Sequence, residues 1–137
     1  MRKMTTGRLI STVIPVFNEE ESIPLLFDEL TTVADANGYE LEVIFVDDGS
    51  TDSSWIKISR LAEEHPFVKA IRFRRNFGKA DALNAGFKIA SGGIVFTLDA
   101  DLQDDPVEIP RFIEMMQDDS IDVISGWKKK RYDPWHK

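Results

Sequence analysis

"LISTVIPVFNEEESIPLLFDELTTVADANGYELEVIFVDD", residues 9–48, changes hydrophobic period twice. It opens on a β-branched apolar run, Leu9 to Val16, and closes on a second, Leu41 to Val46, followed by Asp47 and Asp48. Each run has the length of a strand buried on both faces. Between them Ile23, Leu26, Phe27, Leu30, Val33 and Ala34 recur at helical spacing, with Ser22 as the expected N-cap, Pro24 in the first turn and Gly38 past the end. Two such strands joined by a crossover helix form the repeating unit of a parallel sheet.

The alternation continues outward from that stretch. Val68 to Phe73, Ile94 to Leu98 and Ile121 to Ile124 give three further strand runs. The intervening segments carry helical patterns through Trp55, Ile56, Ile58, Leu61 and Ala62, then Ala80, Leu83, Ala85, Phe87 and Ile89 ahead of Gly92 and Gly93. A fourth pattern uses Ile109, Phe112, Ile113 and Met116, with Pro106 and Pro110 near its start. The order β-α-β-α-β-α-β-α-β predicts an α/β fold, an open and mostly parallel sheet flanked by helices. In such sheets ligands sit outside the carboxyl ends of the strands.

Composition narrows the function classes. A chain of 137 residues fits one domain, long enough to bury roughly two thirds of its unfolded surface. With 17 Lys and Arg against 24 Asp and Glu, the net charge of -7 argues against nucleic-acid binding by the domain as a whole. The absence of cysteine excludes disulfides and thiolate metal sites, and fits a cytoplasmic setting. The opening "MRKMTTGRLISTVIPVF" has a basic start without the apolar core or cleavage site of a signal peptide. No stretch reaches the roughly 18 apolar residues of a membrane span. The expected location is the cytoplasm or the cytoplasmic face of a membrane.

Three strand runs end in polar segments that would gather along one edge: "PVFNEEES", "VDDGSTD" and "TLDADLQ". Turn and cap chemistry accounts for any one of them alone. It does not require Asp99, Asp101 and Gln103 at every second residue, a spacing that in extended chain shares a face. Two carboxylates and an amide oxygen are hard ligands suited to Mg²⁺ or Mn²⁺, which would also hold a diphosphate. A basic segment, "IRFRRNFGKADA", brings Arg72, Arg74, Arg75 and Lys79 after the third strand, with Gly78 at a helix start where free N–H groups favour an anion. A solvated charged face is the competing reading of that segment. Asp47 and Asp48 can accept from a nucleobase N–H or ribose hydroxyls, or cap the next helix; Ser50, Thr51 and Asp52 already serve as caps, which leaves one of the pair for a ligand. Asn18 and Glu19 admit the same two readings. Phe17 is positioned to lie against a base, and His65 and His136 have no ligand-like spacing.

Taken together, "VIPVFNEEESI", "EVIFVDDGSTDSS", "RFRRNFGKADALNAGF" and "TLDADLQDDPVEIP" closely resemble the family 2 glycosyltransferases, particularly the branch of dolichyl-phosphate mannose synthases and polyprenyl-phosphate sugar transferases. The resemblance covers nearly the whole chain in order. It implies a nucleotide-diphospho-sugar transferase (GT-A) fold and a metal-dependent, inverting sugar transfer. It implies that Pro15, Phe17 and Glu19 line the nucleoside site with Val46 and Asp48, and that Asp99, Ala100, Asp101 and Gln103 form the segment holding ribose, metal and diphosphate. Lys128 stands where relatives often carry a phosphate-binding arginine, and Asp105 where they commonly have proline. The implied partners are a UDP- or GDP-linked sugar and an acceptor such as a polyprenyl phosphate. Two rivals remain: a haloacid-dehalogenase-like phosphatase, whose D-x-D normally ends the first strand, and a receiver or other nucleotide-binding module, which needs a lone Asp after its third strand where this chain has "RRNFGK". The general base of the resembling family lies in a later acidic segment, so it is expected beyond Lys137, with 126–137 a basic tail leading toward a missing acceptor part.

Overall fold

The computed structural model describes residues 9–101 and 105–115. Gln103, Met116, Lys128 and the run Ile121 to Ile124 lie outside the described residues. The chain runs β1 (Leu9–Val16), α1 (Ser22–Asn37), β2 (Glu40–Asp47), α2 (Ser54–Glu64), β3 (Val68–Arg72), α3 (Lys79–Ile89), β4 (Ile94–Thr97), a 3₁₀ turn (Pro106–Glu108) and α4 (Ile109–Met115). The four strands form one sheet in the order β3-β2-β1-β4. All three ladders are parallel, as the alternation predicts. From β3 the chain crosses to the far side of β1, so the strand order reverses between β1 and β4. That reversal makes the crevice at their carboxyl ends the expected ligand position.

Strand alternation divides the core. Ile10, Ile14 and Val16 of β1, Leu41, Val43 and Phe45 of β2, and Ile94 and Phe96 of β4 point to one face, where α1, α2 and α4 cover them through Leu26, Leu30, Ile58 and Ile113. Val13, Ile44 and Val46 point to the other face and meet α3 through Ala82. Helix α3 lies close to the sheet because Gly86 has no side chain: a Cβ there would stand 2.4 Å from a Val13 methyl.

That close approach corrects the expected inner face of α3. Ala82 and Gly86 are buried, Leu83 and Ala85 are partly covered, and Ala80, Phe87 and Ile89 are exposed. Small residues win the inner position because they let the helix axis approach the sheet. On α2, Ile58 is buried as expected, whereas Ile56 is 56% exposed. Ser22 does not cap α1 but begins it, with Glu21 in the cap position and no side-chain cap bond. The Glu19 carbonyl accepts from the Ser22 and Ile23 N–H groups instead, at 3.1 and 3.2 Å. Gly38 closes the helix in the left-handed conformation (φ 71°), its N–H donating to the Ala34 carbonyl.

One backbone detail shapes the crevice. The Val13 carbonyl accepts from the Leu98 N–H and the Val16 carbonyl from the Asp48 N–H, so odd residues of β1 bond toward β4 and even ones toward β2. The β1–β4 register ends at Val13↔Thr97. Pro15, which has no N–H, therefore falls on the β4 side just past the last pair, where no ladder bond is lost.

Candidate functional site

Two loops at the carboxyl ends of β1 and β2 are tied together by side chains. Asn18, a non-glycine residue at φ 56°, accepts through Oδ1 from the Thr51 and Asp52 N–H groups at 2.8 and 3.3 Å, while its own N–H donates to Ser50 Oγ at 2.8 Å. Short polar side chains that can bond locally are the ones that tolerate this backbone region. The Glu19 N–H donates to buried Ser54 Oγ at 2.9 Å, and the Ser53 N–H to Glu20 Oε1 at 2.9 Å. Asn18, read in the sequence as either ligand group or cap, is a latch between the loops. Ser54 gave no signal at all, because its partner lies 35 residues away.

The adjacent aspartates have different roles although both are fully buried. Asp48 Oδ1 accepts from the Phe77 N–H at 2.8 Å, and Oδ2 accepts from the Gly78 N–H at 3.0 Å and from Asn76 Nδ2 at 3.1 Å. The anion that the start of α3 favours is thus supplied by the chain itself. Two of the N–H groups read as open to phosphate are occupied by Asp48. Gly49 makes the contact possible, being at φ 79° with an imaginary Cβ only 2.4 Å from the Arg75 carbonyl carbon. Asp47 Oδ1 accepts from the Ser50 N–H at 3.1 Å. Its Oδ2 is buried with no hydrogen-bond partner among the described residues. Of the pair, Asp47 is the one with an acceptor to offer a ligand.

At the end of β4, Leu98, Asp99 and Ala100 are buried. The chain turns at Ala100 and Asp101 rather than continuing extended, so shared strand parity does not align Asp99 with Asp101. Asp99 Oδ1 pairs with the Lys79 ammonium at 2.8 Å. Across the crevice, Glu19 has its carboxyl pushed up to about 7, first by burial and next by the negative charge of Asp101, with Asp52 adding and a Ser22 hydrogen bond opposing. Glu19 and Asp101 therefore face each other where strand order reverses, with Asp99 two residues before Asp101 at the end of β4. Pro15 and Val46 are register partners beneath it, both buried, and Phe17 is half-buried at the end of β1. Arg75 is exposed with its guanidinium 4.8 Å from the centre of the Phe77 ring. The described residues contain no group of three or more His, Cys, Asp or Glu arranged to hold a metal.

A cavity of about 850 Å³ lies elsewhere, lined by Leu9, Phe27, Tyr39, Leu41, His65 and Phe67 among others. Leu9 and Leu41 belong to the amino ends of β1 and β2, so this cavity is remote from the acidic crevice. The same amino end holds a buried carboxylate, Glu42, bonded to Ser11, Ser91 and Lys69.

Comparison with known proteins gives the class and then the family. Over 82% of this chain, at 28% identity and a TM-score of 0.65, the fold matches 40% of glucosyl-3-phosphoglycerate synthase from Mycobacterium tuberculosis, solved with Mn²⁺, UDP and glucosyl-3-phosphoglycerate. A mannosyltransferase from Pyrobaculum calidifontis, solved with GDP-Man and Mn²⁺, matches 69% of the chain at 32% identity and a TM-score of 0.56, over 28% of its own length. The architecture is the N-terminal part of a GT-A glycosyltransferase domain. The family model "Glycosyl transferase family 2" matches residues 11–137, and the chain belongs to that family. An undecaprenyl-phosphate 4-deoxy-4-formamido-L-arabinose transferase from Enterobacter sp. is 40% identical over 136 residues. The chain spans 41% of that relative's length. Family membership sets aside the phosphatase and receiver readings.

Proposed function

We propose that this chain is the donor-binding part of a glycosyltransferase that takes a nucleotide-diphospho-sugar with a divalent cation and passes the sugar, with inversion, to a polyprenyl phosphate. The observation that carries the reading is the crevice between β1 and β4, where burial first and the negative charge of Asp101 next push the Glu19 carboxyl up to about 7. Negative charge crowded there favours a cation, and carboxylate oxygen is the donor chemistry that Mg²⁺ and Mn²⁺ prefer. Asp99 and Asp101 would hold the ion, joined by Gln103 on the resemblance. When bound, the cation would offset the charge that develops on the departing nucleoside diphosphate.

The chain's own residues do the positioning. Asp47 offers its remaining buried oxygen to a donor on the nucleoside, against a wall made by Pro15, Phe17 and Val46. Asp48 acts one step back, by holding residues 76–78 at the start of α3. Lys79 balances Asp99 and is within the same crevice, where it would share that carboxylate with the ion. Arg75 and Lys128 are the remaining candidates for the diphosphate. The acceptor attacks the anomeric carbon from the face opposite the leaving group, with the general base supplied beyond Lys137. GDP-Man and Mn²⁺ in the Pyrobaculum enzyme, and undecaprenyl phosphate in the name of the Enterobacter relative, support the donor, ion and acceptor classes respectively. The cytoplasmic face of a membrane is the matching location.

Calorimetric titration of the chain with UDP- and GDP-sugars, with and without Mn²⁺, tests the reading. Binding should require the ion and vanish in a folded Asp101→Ala variant. Unchanged Mn²⁺-dependent affinity in that variant would remove the metal assignment.

A further inference from the structure

The end of β3 carries a surface of which the donor site proposed above would use Arg75 alone. Arg72, Arg74 and Arg75 are all exposed, and none makes an ion pair with a carboxylate among the described residues, although acids outnumber bases in this chain by 24 to 17. Two of them lie against aromatic rings. The Arg72 guanidinium stands 5.3 Å from the centre of the Trp55 ring, and that of Arg75 stands 4.8 Å from the centre of the Phe77 ring. Phe77 is 49% exposed and meets Phe73 edge-on, at 5.6 Å between ring centres. Among the described strands β3 is an edge of the sheet, and this patch stands at its carboxyl end, the end on which the donor crevice opens.

We propose that this arginine and aromatic patch is a docking surface for an anionic lipid bilayer. Unpaired guanidiniums are attracted to acidic headgroups, and half-exposed aromatic rings prefer the boundary between headgroup and acyl chain. An overall charge of -7 opposes both general nucleic-acid binding and indiscriminate adhesion, so attraction falls to local basic patches such as this one. Contact here would turn the carboxyl ends of the strands toward the lipid. The benefit to an acceptor carried in the bilayer rests on the function proposed above, whereas adhesion itself does not.

The test is co-sedimentation of the chain with phosphatidylcholine vesicles, with and without phosphatidylglycerol, alongside calorimetry with the nucleotide sugar. The chain should bind only vesicles containing phosphatidylglycerol and release them at high salt. Each arginine near an anionic surface contributes about a fivefold change in affinity, so Arg72→Gln with Arg74→Gln should weaken adhesion about 25-fold. Phe77→Ala, which leaves the backbone N–H that Asp48 uses, should weaken it as well. Nucleotide affinity of the double arginine variant should equal that of the parent. Adhesion unchanged by these substitutions, or equal adhesion to pure phosphatidylcholine, would overturn the proposal. Vesicle adhesion without any nucleotide binding would uphold it while refuting the donor-site reading.

Discussion

Asp47 and Asp48 are chemically identical neighbours, yet the structure requires the same substitution to have opposite effects at the two positions. In Asp48→Asn one carboxylate oxygen becomes an NH₂ group. The side chain would turn its remaining oxygen toward Gly78 N–H and Asn76 Nδ2, leaving the part-buried Phe77 N–H facing a donor. A hydrogen bond to a charged group contributes about 1.5–3 kcal/mol, and orphaning a buried donor costs a further 1–3. Allowing for relaxation of the loop, the loss should be about 3 kcal/mol, or roughly 10 °C in Tm for a domain of this size. In Asp47→Asn the oxygen bonded to the Ser50 N–H is retained, and the one replaced has no partner among the described residues. Removing a buried and half-satisfied charge should leave stability within about 1 kcal/mol of the parent or raise it. Nucleotide affinity should nevertheless fall. Urea denaturation of both variants, followed by calorimetry with the nucleotide sugar, reads the two effects separately. Equal destabilisation by the two substitutions, or a larger loss at position 47, would refute the assignment of one aspartate to the loop and the other to the ligand.

Gly49→Ala should cost about 3 kcal/mol or prevent folding, since it combines a left-handed backbone with a Cβ pressed on the Arg75 carbonyl carbon; a variant as stable as the parent in urea would show that the loop yields freely. Burial alone would raise the Glu42 carboxyl, but Lys69, Ser11 and two bonds from Ser91 outweigh it and bring it from 4.5 down to about 2. Because the folded value is depressed, the stabilisation is complete above pH 4.5 and is lost as pH falls toward 2. With Lys69 partly exposed the contribution should be on the order of 2 kcal/mol, and the stability gap between the parent and Glu42→Gln should close over that window; a gap independent of pH would contradict it. Lys79→Met removes the ammonium paired with Asp99 and should tighten Mn²⁺ binding in a thermal-shift titration; unchanged affinity would mean that lysine and ion do not compete.

The strand and helix order of the described residues was legible because the strand runs are short, mostly apolar and β-branched, and each helix carries a 3.6-residue stripe. Sheet order was not, since nothing in the composition of β4 states that it pairs with β1 rather than β3. The inner face of α3 was misread through size: Phe87 and Ile89 carry more apolar surface than Ala82 and Gly86, but the sheet approaches too closely to admit them. At the candidate site, the convergence of acidic segments on one edge followed from the parallel topology. The division of labour between Asp47 and Asp48 did not, because it depends on a loop about 30 residues further on. Likewise Asn18 and Ser54 act across the gap between two loops, a distance that local pattern does not encode. Gln103, Lys128 and the run Ile121 to Ile124 fall outside the described residues.

Parallel strands zip together while each successive N–H finds a carbonyl, and nothing in the polarity of β1 and β4 would stop them at Val13. The stop comes from a hydrogen atom that Pro15 does not have. Any other residue at that position would offer the β4 side one more donor, drawing the acidic turn at Ala100 and Asp101 inward against β1. The gap between β1 and β4 thus opens where a covalent ring in the middle of the sheet withholds the next donor.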